Sequence, residues 1–328
     1  MTIRSLLALA SLAALAGLAG SVSAQTQPAY QLTSTVTLGA PEKRDYVVFD
    51  PGSQRVYVAH GDHLSVVDAQ IGAVVGEVTN IPGGTHGTAV STATGEGFTD
   101  DGKAGQAVVF DLKTLKVLKR IPAADDADGI IREPASGHIF IADGDSGKVT
   151  IIDPKTDTLI KTLTIGGKLE GIAAGADGRV YVEGAEKREV VVLDAHANAL
   201  VARWAIPACI SPHGIAFDEA GHRLFVSCAN AQMTILNTDT GLTVASLPIG
   251  MGTDSAAWDP QRKRAFSANG DDGTLSIIQQ QGPDAYVGLP PIKTAPGART
   301  MAIDPATGRL FVAAPAAGSL KLMIFAPL

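Results

Sequence analysis

A single phrase recurs along this chain of 328 residues and leaves little choice of architecture. Two or three apolar residues run into an Asp or a turn. After a short gap, a basic residue introduces an apolar–aromatic–apolar triplet. The clearest copy is Ile215-Ala216-Phe217-Asp218 followed by Arg223-Leu224-Phe225-Val226. Others are Val47-Val48-Phe49-Asp50 with Arg55-Val56-Tyr57-Val58, Ala257-Trp258-Asp259 with Arg264-Ala265-Phe266, and Ile303-Asp304 with Arg309-Leu310-Phe311-Val312. The aromatic anchors are Tyr57, Phe98, Phe140, Tyr181, Phe225, Phe266 and Phe311, separated by 41, 42, 41, 44, 41 and 45 residues. Units of this length match four-stranded propeller blades. Helical repeats do not fit, because the apolar segments are short, β-branched and bounded by Gly, Asp and Pro.

Each unit continues with a third strand, such as Val149-Thr150-Ile151-Ile152-Asp153, and a fourth, such as Leu159 to Ile165. The strands are labelled A to D from the axis outward. The seventh unit runs out after strand C, Leu320 to Phe325, whereas Tyr30 to Leu38 precedes the first strand A and reads as an orphan strand D. The expectation is an all-β fold: one seven-bladed β-propeller domain over residues 25–328, with four-stranded blades. Its ring is closed by the N-terminal strand completing the last blade, which removes an exposed edge.

Residues 1–24 read as a secretory signal peptide. Arg4 is the positive region, Leu6 to Ala19 the apolar run, and Val22-Ser23-Ala24 the small residues at the cleavage positions. No Cys follows that run, so no lipid anchor is expected, and no later segment reaches roughly 18 uninterrupted apolar residues. A periplasmic or secreted protein follows. In such a compartment Cys209 and Cys228 are expected to form a disulfide. They lie before strand A and at the end of strand B of the fifth unit, and antiparallel pairing brings those ends to one rim. The chain carries 33 acidic against 26 basic residues, a formal net charge of −7. That balance opposes phosphate backbones and argues against a nucleic-acid partner.

The strand B phrases Arg55-Val56-Tyr57-Val58-Ala59, Arg223-Leu224-Phe225-Val226-Ser227 and Arg264-Ala265-Phe266-Ser267-Ala268-Asn269, with the strand C to D phrase Ile151-Ile152-Asp153-Pro154-Lys155-Thr156, resemble the YVTN-repeat, YncE-like family of bacterial propellers. The resemblance covers essentially the whole mature chain. It implies an exported propeller that binds a ligand on one face or interacts with proteins. The repeat itself is structural and names no activity.

Aligning the repeats gives a sharper expectation. The residue five before each Asp50 equivalent opens strand A, where the strands converge on the axis. Round the ring these are Asp45, His86, Asp128, Glu170, His213, Asp254 and Arg299, all ionisable. Four are followed by glycine (Gly87, Gly129, Gly171 and Gly214), which suits a crowded centre. Four carboxylates round one small opening repel each other and call for protons, an Arg or a bound cation. This ring is the candidate ligand-binding site. His86, Glu170 and His213 are its candidate metal ligands, and a divalent metal ion is the candidate cofactor. A water-filled channel lined by solvated polar residues is the competing reading.

The B–C connections carry His60, Asp62, His63, Asp100, Asp101, Asp143, Asp145, Glu183, Asp271 and Asp272, each expected as a turn residue and together making that face acidic. His138, His196 and His222 are expected in solvated turns away from the axis. There is no Cys-x-x-Cys-His, nucleophile elbow or phosphate loop. The sequence therefore favours a binding or scaffold propeller over an enzyme, with a small ligand, a metal species or a periplasmic protein as partner. The alternatives are a metal-dependent hydrolase or lyase of lactonase-like propeller type, with His86 or His213 as base, and a pure protein-interaction module.

Overall fold

The computed structural model describes residues 28–328. The expected signal peptide lies outside the described residues. Within them, seven antiparallel four-stranded sheets form the blades of a propeller. The fifth blade is typical, with strand A at Pro212–Asp218, B at Arg223–Cys228, C at Gln232–Asn237 and D at Thr243–Pro248. The register sets Ala216 opposite Phe225 and Phe225 opposite Ile235. Each aromatic anchor is thereby placed between neighbouring blades, and all seven are fully buried. The outer D strands are largely exposed, so burial falls from strands B and C outward.

The seventh blade is completed by the N-terminus. Strand Tyr30–Gly39 pairs with Ser319–Pro327, which pairs with Leu310–Ala316 and then Thr300–Ile303. Tyr30 is buried, with its ring edge-on to Phe266 at 5.4 Å between centroids. The closing strand is thus anchored into the core as well as hydrogen-bonded along its edge.

The recurring Asp residues are turn devices. Asp50 accepts from the backbone N–H of Gly52 and Ser53, Asp259 from Gln261 and Arg262, and Asp194 from His196 and Ala197. Carboxylate caps of this kind hold the A–B and C–D turns. The Cys209–Cys228 disulfide is present, with Cα atoms 5.2 Å apart. No helix among the described residues is long and apolar enough to cross a membrane.

Candidate axial binding site

The seven ring residues meet because strand A is irregular where it begins. In blades 3 to 6 the A–B register slips between Ala127 and Ile130, Leu169 and Ile172, Pro212 and Gly214, and Thr253 and Ala256. Asp128, Glu170, His213 and Asp254 sit inside these slips. A bulge turns its side chain out of the sheet's alternation, and here it turns toward the axis. In blades 1, 2 and 7 the residues Asp45, His86 and Arg299 immediately precede the paired part of strand A or its first turn. All seven line one cavity of about 250 Å³, together with Tyr46, Asp126 and Lys168.

Where strand A is slipped or not yet paired, its backbone N–H groups need other acceptors. Side chains at the end of strand B supply them. Asp100 Oδ1 accepts from the N–H of His86 (2.7 Å) and Gly87 (3.1 Å). Glu183 accepts from Gly171 N–H through Oε2 (3.0 Å) and from Gly214 N–H through Oε1 (3.1 Å), tying blade 4 to blade 5. Both carboxyls are fully buried. The expectation of turn residues is therefore corrected for Asp100 and Glu183, and likewise for the buried strand-end residues His60, Asp101 and Asp143. His138 lies in the A–B connection of blade 3, half-buried, with its Nδ1 out of solvent and without a partner.

The glycines after the ring residues are required by neighbouring blades. A Cβ on Gly87 would stand 2.4 Å from the Asp128 carbonyl oxygen, and one on Gly214 would stand 2.5 Å from the Ser255 backbone. Tyr46 occupies the equivalent place in blade 1. It is the one large side chain in a ring of small residues, and it lines both the acidic cavity and a second cavity on the other side.

Three ion pairs neutralise part of the chamber. Arg299 Nε lies 2.8 Å from Asp254, Lys168 Nζ 3.1 Å from Glu170, and His86 Nδ1 2.7 Å from Asp100. Burial alone would lower the His86 pKa, but the hydrogen bond and charge of Asp100, with Asp45 and Asp128 beside it, raise it to about 9. His86 is thus an imidazolium at neutral pH, which can neither ligate a metal nor act as a base until it loses that proton. His213 donates from Nδ1 to the Ser211 carbonyl (2.8 Å) and turns Nε2 toward Glu170, 3.6 Å away.

Asp45 and Asp128 remain. Neither carboxylate joins an ion pair or takes a hydrogen bond among the described residues. Burial raises both pKa values. At Asp128 the charges of Asp45 and Glu170 add to burial, whereas at Asp45 His86 and Arg299 oppose it. Asp254 is pushed to about 6 by burial, against the pull of Arg299. The Tyr46 hydroxyl is held well above its ordinary range by burial and then by Asp128, Asp254, Asp45 and Glu170, so it stays a neutral donor.

The geometry places His86 apart from the other two candidate metal ligands, paired to Asp100, while His213 and Glu170 adjoin. No group of three or more His, Cys, Asp or Glu side chains among the described residues is arranged to hold a metal ion. Sequence reasoning found the seven ring residues but missed Asp100, Glu183, Tyr46, Asp126 and Lys168 as part of the axial machinery. A signal for Asp100 and Glu183 was available. Two residues after the aromatic anchor, blades 1, 3, 6 and 7 carry Ala59, Ala142, Ala268 and Ala313, so an acid at that position departs from the repeat.

No protein-family model and no curated protein sequence matches the chain. Solved structures match it in fold. A structure of U3-55K aligns with a TM-score of 0.76 at 11% identity, over 91% of this chain and 98% of that one. The WD40 repeats of RRP9 align with a TM-score of 0.77 at 10% identity, over 90% and 97%. Hydrazine synthase of Kuenenia stuttgartiensis aligns with a TM-score of 0.74 at 15% identity, over 85% and 94%. At these identities the likeness shows the propeller fold, an architecture that hosts many functions, and the YncE-like resemblance rests on the repeat phrases alone.

Proposed function

We propose that this chain is an exported, YncE-like binding propeller that takes a small organic cation in the acidic axial chamber. One observation carries the reading. After Arg299, Lys168 and His86 are matched with Asp254, Glu170 and Asp100, the half-buried carboxylates of Asp45 and Asp128 are left without partners. Desolvation and mutual repulsion raise both pKa values and favour a proton on this pair, one that a cation can displace. Binding then releases a proton, and affinity rises with pH as the raised carboxyls ionise. Export follows from the leader-like sequence and agrees with the disulfide.

A divalent metal ion is the competing occupant. It would need His86 to surrender its proton and to swing from Asp100 toward Glu170 and His213. Calorimetric titration of the mature protein with 1,4-diaminobutane, and separately with Zn²⁺ and Mn²⁺, separates the two readings. The organic cation is expected to bind with proton release and to lose at least about tenfold in affinity in Asp45→Asn/Asp128→Asn. Saturable metal binding that disappears in His86→Ala/His213→Ala, with no response to the diamine, would overturn the proposal in favour of the metal. Silence to all three would leave a solvated channel and point to protein partners of the rim.

A further inference from the structure

The channel has a second chamber at its other mouth, and most of its wall is apolar. Beyond the glycine ring, strand A continues with an apolar collar that includes Val47, Ile130, Ile172, Ile215, Ala256 and Met301. These residues enclose about 350 Å³. That lies at the lower end of the roughly 300–1,000 Å³ typical of small-molecule pockets. Tyr46 separates it from the acidic chamber, since it lines both. A continuous water channel would not need an apolar half.

The wall also holds charged groups of opposite standing. Asp50 is occupied, because its two oxygens accept from the N–H of Gly52 and Ser53. Arg132 is not. Its Nε is buried with no hydrogen-bond partner, and it joins none of the ion pairs among the described residues. Its counterparts at the same register position in other blades are Phe49, Val90, Ala174, Phe217, Trp258 and Ile303, all apolar. The repeat thus asks for an apolar residue, and leaving a buried donor unsatisfied is costly. Guanidinium is a cation whose planar fork matches a carboxylate with two parallel hydrogen bonds.

We infer that this second chamber binds a small amphipathic monocarboxylate, with its apolar body in the collar and its carboxylate on Arg132. The inference is independent of the acidic chamber. It requires only the collar, the Tyr46 partition and the unpartnered guanidinium.

The test uses octanoate, octan-1-ol and octylammonium as probes in calorimetric titrations of the mature protein. Octanoate is expected to bind at one site at least about tenfold tighter than octan-1-ol, with octylammonium excluded. Arg132→Gln is expected to erase the preference for octanoate over octan-1-ol while leaving octan-1-ol binding unchanged. Ala256→Phe fills the collar and is expected to remove both. Because a bulky residue there can disturb the blade, Arg132→Gln carries the decision. Asp45→Asn/Asp128→Asn is expected to leave octanoate binding intact, which separates this site from the first. Equal affinity for octanoate and octan-1-ol, a preference that survives Arg132→Gln, or no saturation with octanoate into the millimolar range would each overturn the inference.

Discussion

Asp143 offers a direct test of the electrostatics inside the blades. It ends strand B of the third blade, Ile139–Asp143, and is fully buried. Oδ2 accepts from the Thr150 hydroxyl at 2.8 Å, and Oδ1 is buried without a partner. Burial raises its pKa from 3.8 to about 7, against the pull of the Thr150 hydrogen bond. The sign follows from linkage: the folded protein keeps a proton that the unfolded chain has lost. Stability from this group is therefore greatest below about pH 4 and falls as pH rises, levelling off above about 7. At 1.36 kcal/mol per pKa unit, the full penalty at alkaline pH is on the order of 4 kcal/mol. Asn is the matching neutral side chain. It keeps an acceptor for Thr150 and cannot ionise, and any cost of its amide is independent of pH. Urea unfolding of the wild type and Asp143→Asn should show the variant gaining on the wild type by roughly 3 kcal/mol between about pH 5 and about pH 8.5. Other titrating groups are common to both proteins and cancel. A stability difference that stays flat across that range, or one that shrinks as pH rises, would refute the reasoning.

Further outcomes follow from the fold. Cys209→Ser/Cys228→Ser opens a cross-link spanning 19 residues and should lower stability by about 3 kcal/mol, read as a shifted unfolding midpoint under otherwise identical conditions. Gly214→Ala forces a Cβ against the Ser255 backbone, whereas one on Gly288 meets nothing within 4 Å. The first should cost about 1–3 kcal/mol in thermal or urea unfolding and Gly288→Ala nearly nothing. A chain lacking Tyr30–Gly39 leaves Ser319–Pro327 as an open edge. It should melt earlier and associate with rising concentration in sedimentation analysis, and a monomer with unchanged melting would show that closure does not depend on that strand.

What the sequence disclosed and what it withheld divide along one physical line. Features set by period were legible: the seven blades through their anchors, the closing strand Tyr30–Gly39, the ring from Asp45 to Arg299, and the cysteine pair, because antiparallel pairing at a fixed period puts equivalent residues at equivalent depths. Features set by the exceptions were not. Asp100 and Glu183 have the composition of turn residues. Only the irregular starts of strand A beside them reveal that backbone N–H groups need carboxylates there. Tyr46 is an ordinary aromatic until four glycines at its equivalent positions make it the partition of the channel. Arg132 stands at a position that is apolar in the other blades, and only the structure shows that it lines the apolar collar. The departures are also matched across strands. His86-Gly87 on strand A comes with Asp100 on strand B, while Gly171 and Gly214 share Glu183. An irregular strand start frees backbone N–H groups that need an acceptor, and at these three positions the strand B acid is that acceptor. His86, Glu170 and His213 are thus each coupled to a strand B acid. Asp100→Ala should disturb the placement of His86 more than removing any ring carboxylate would, which makes the strand B acids positioning residues for whatever the chamber holds.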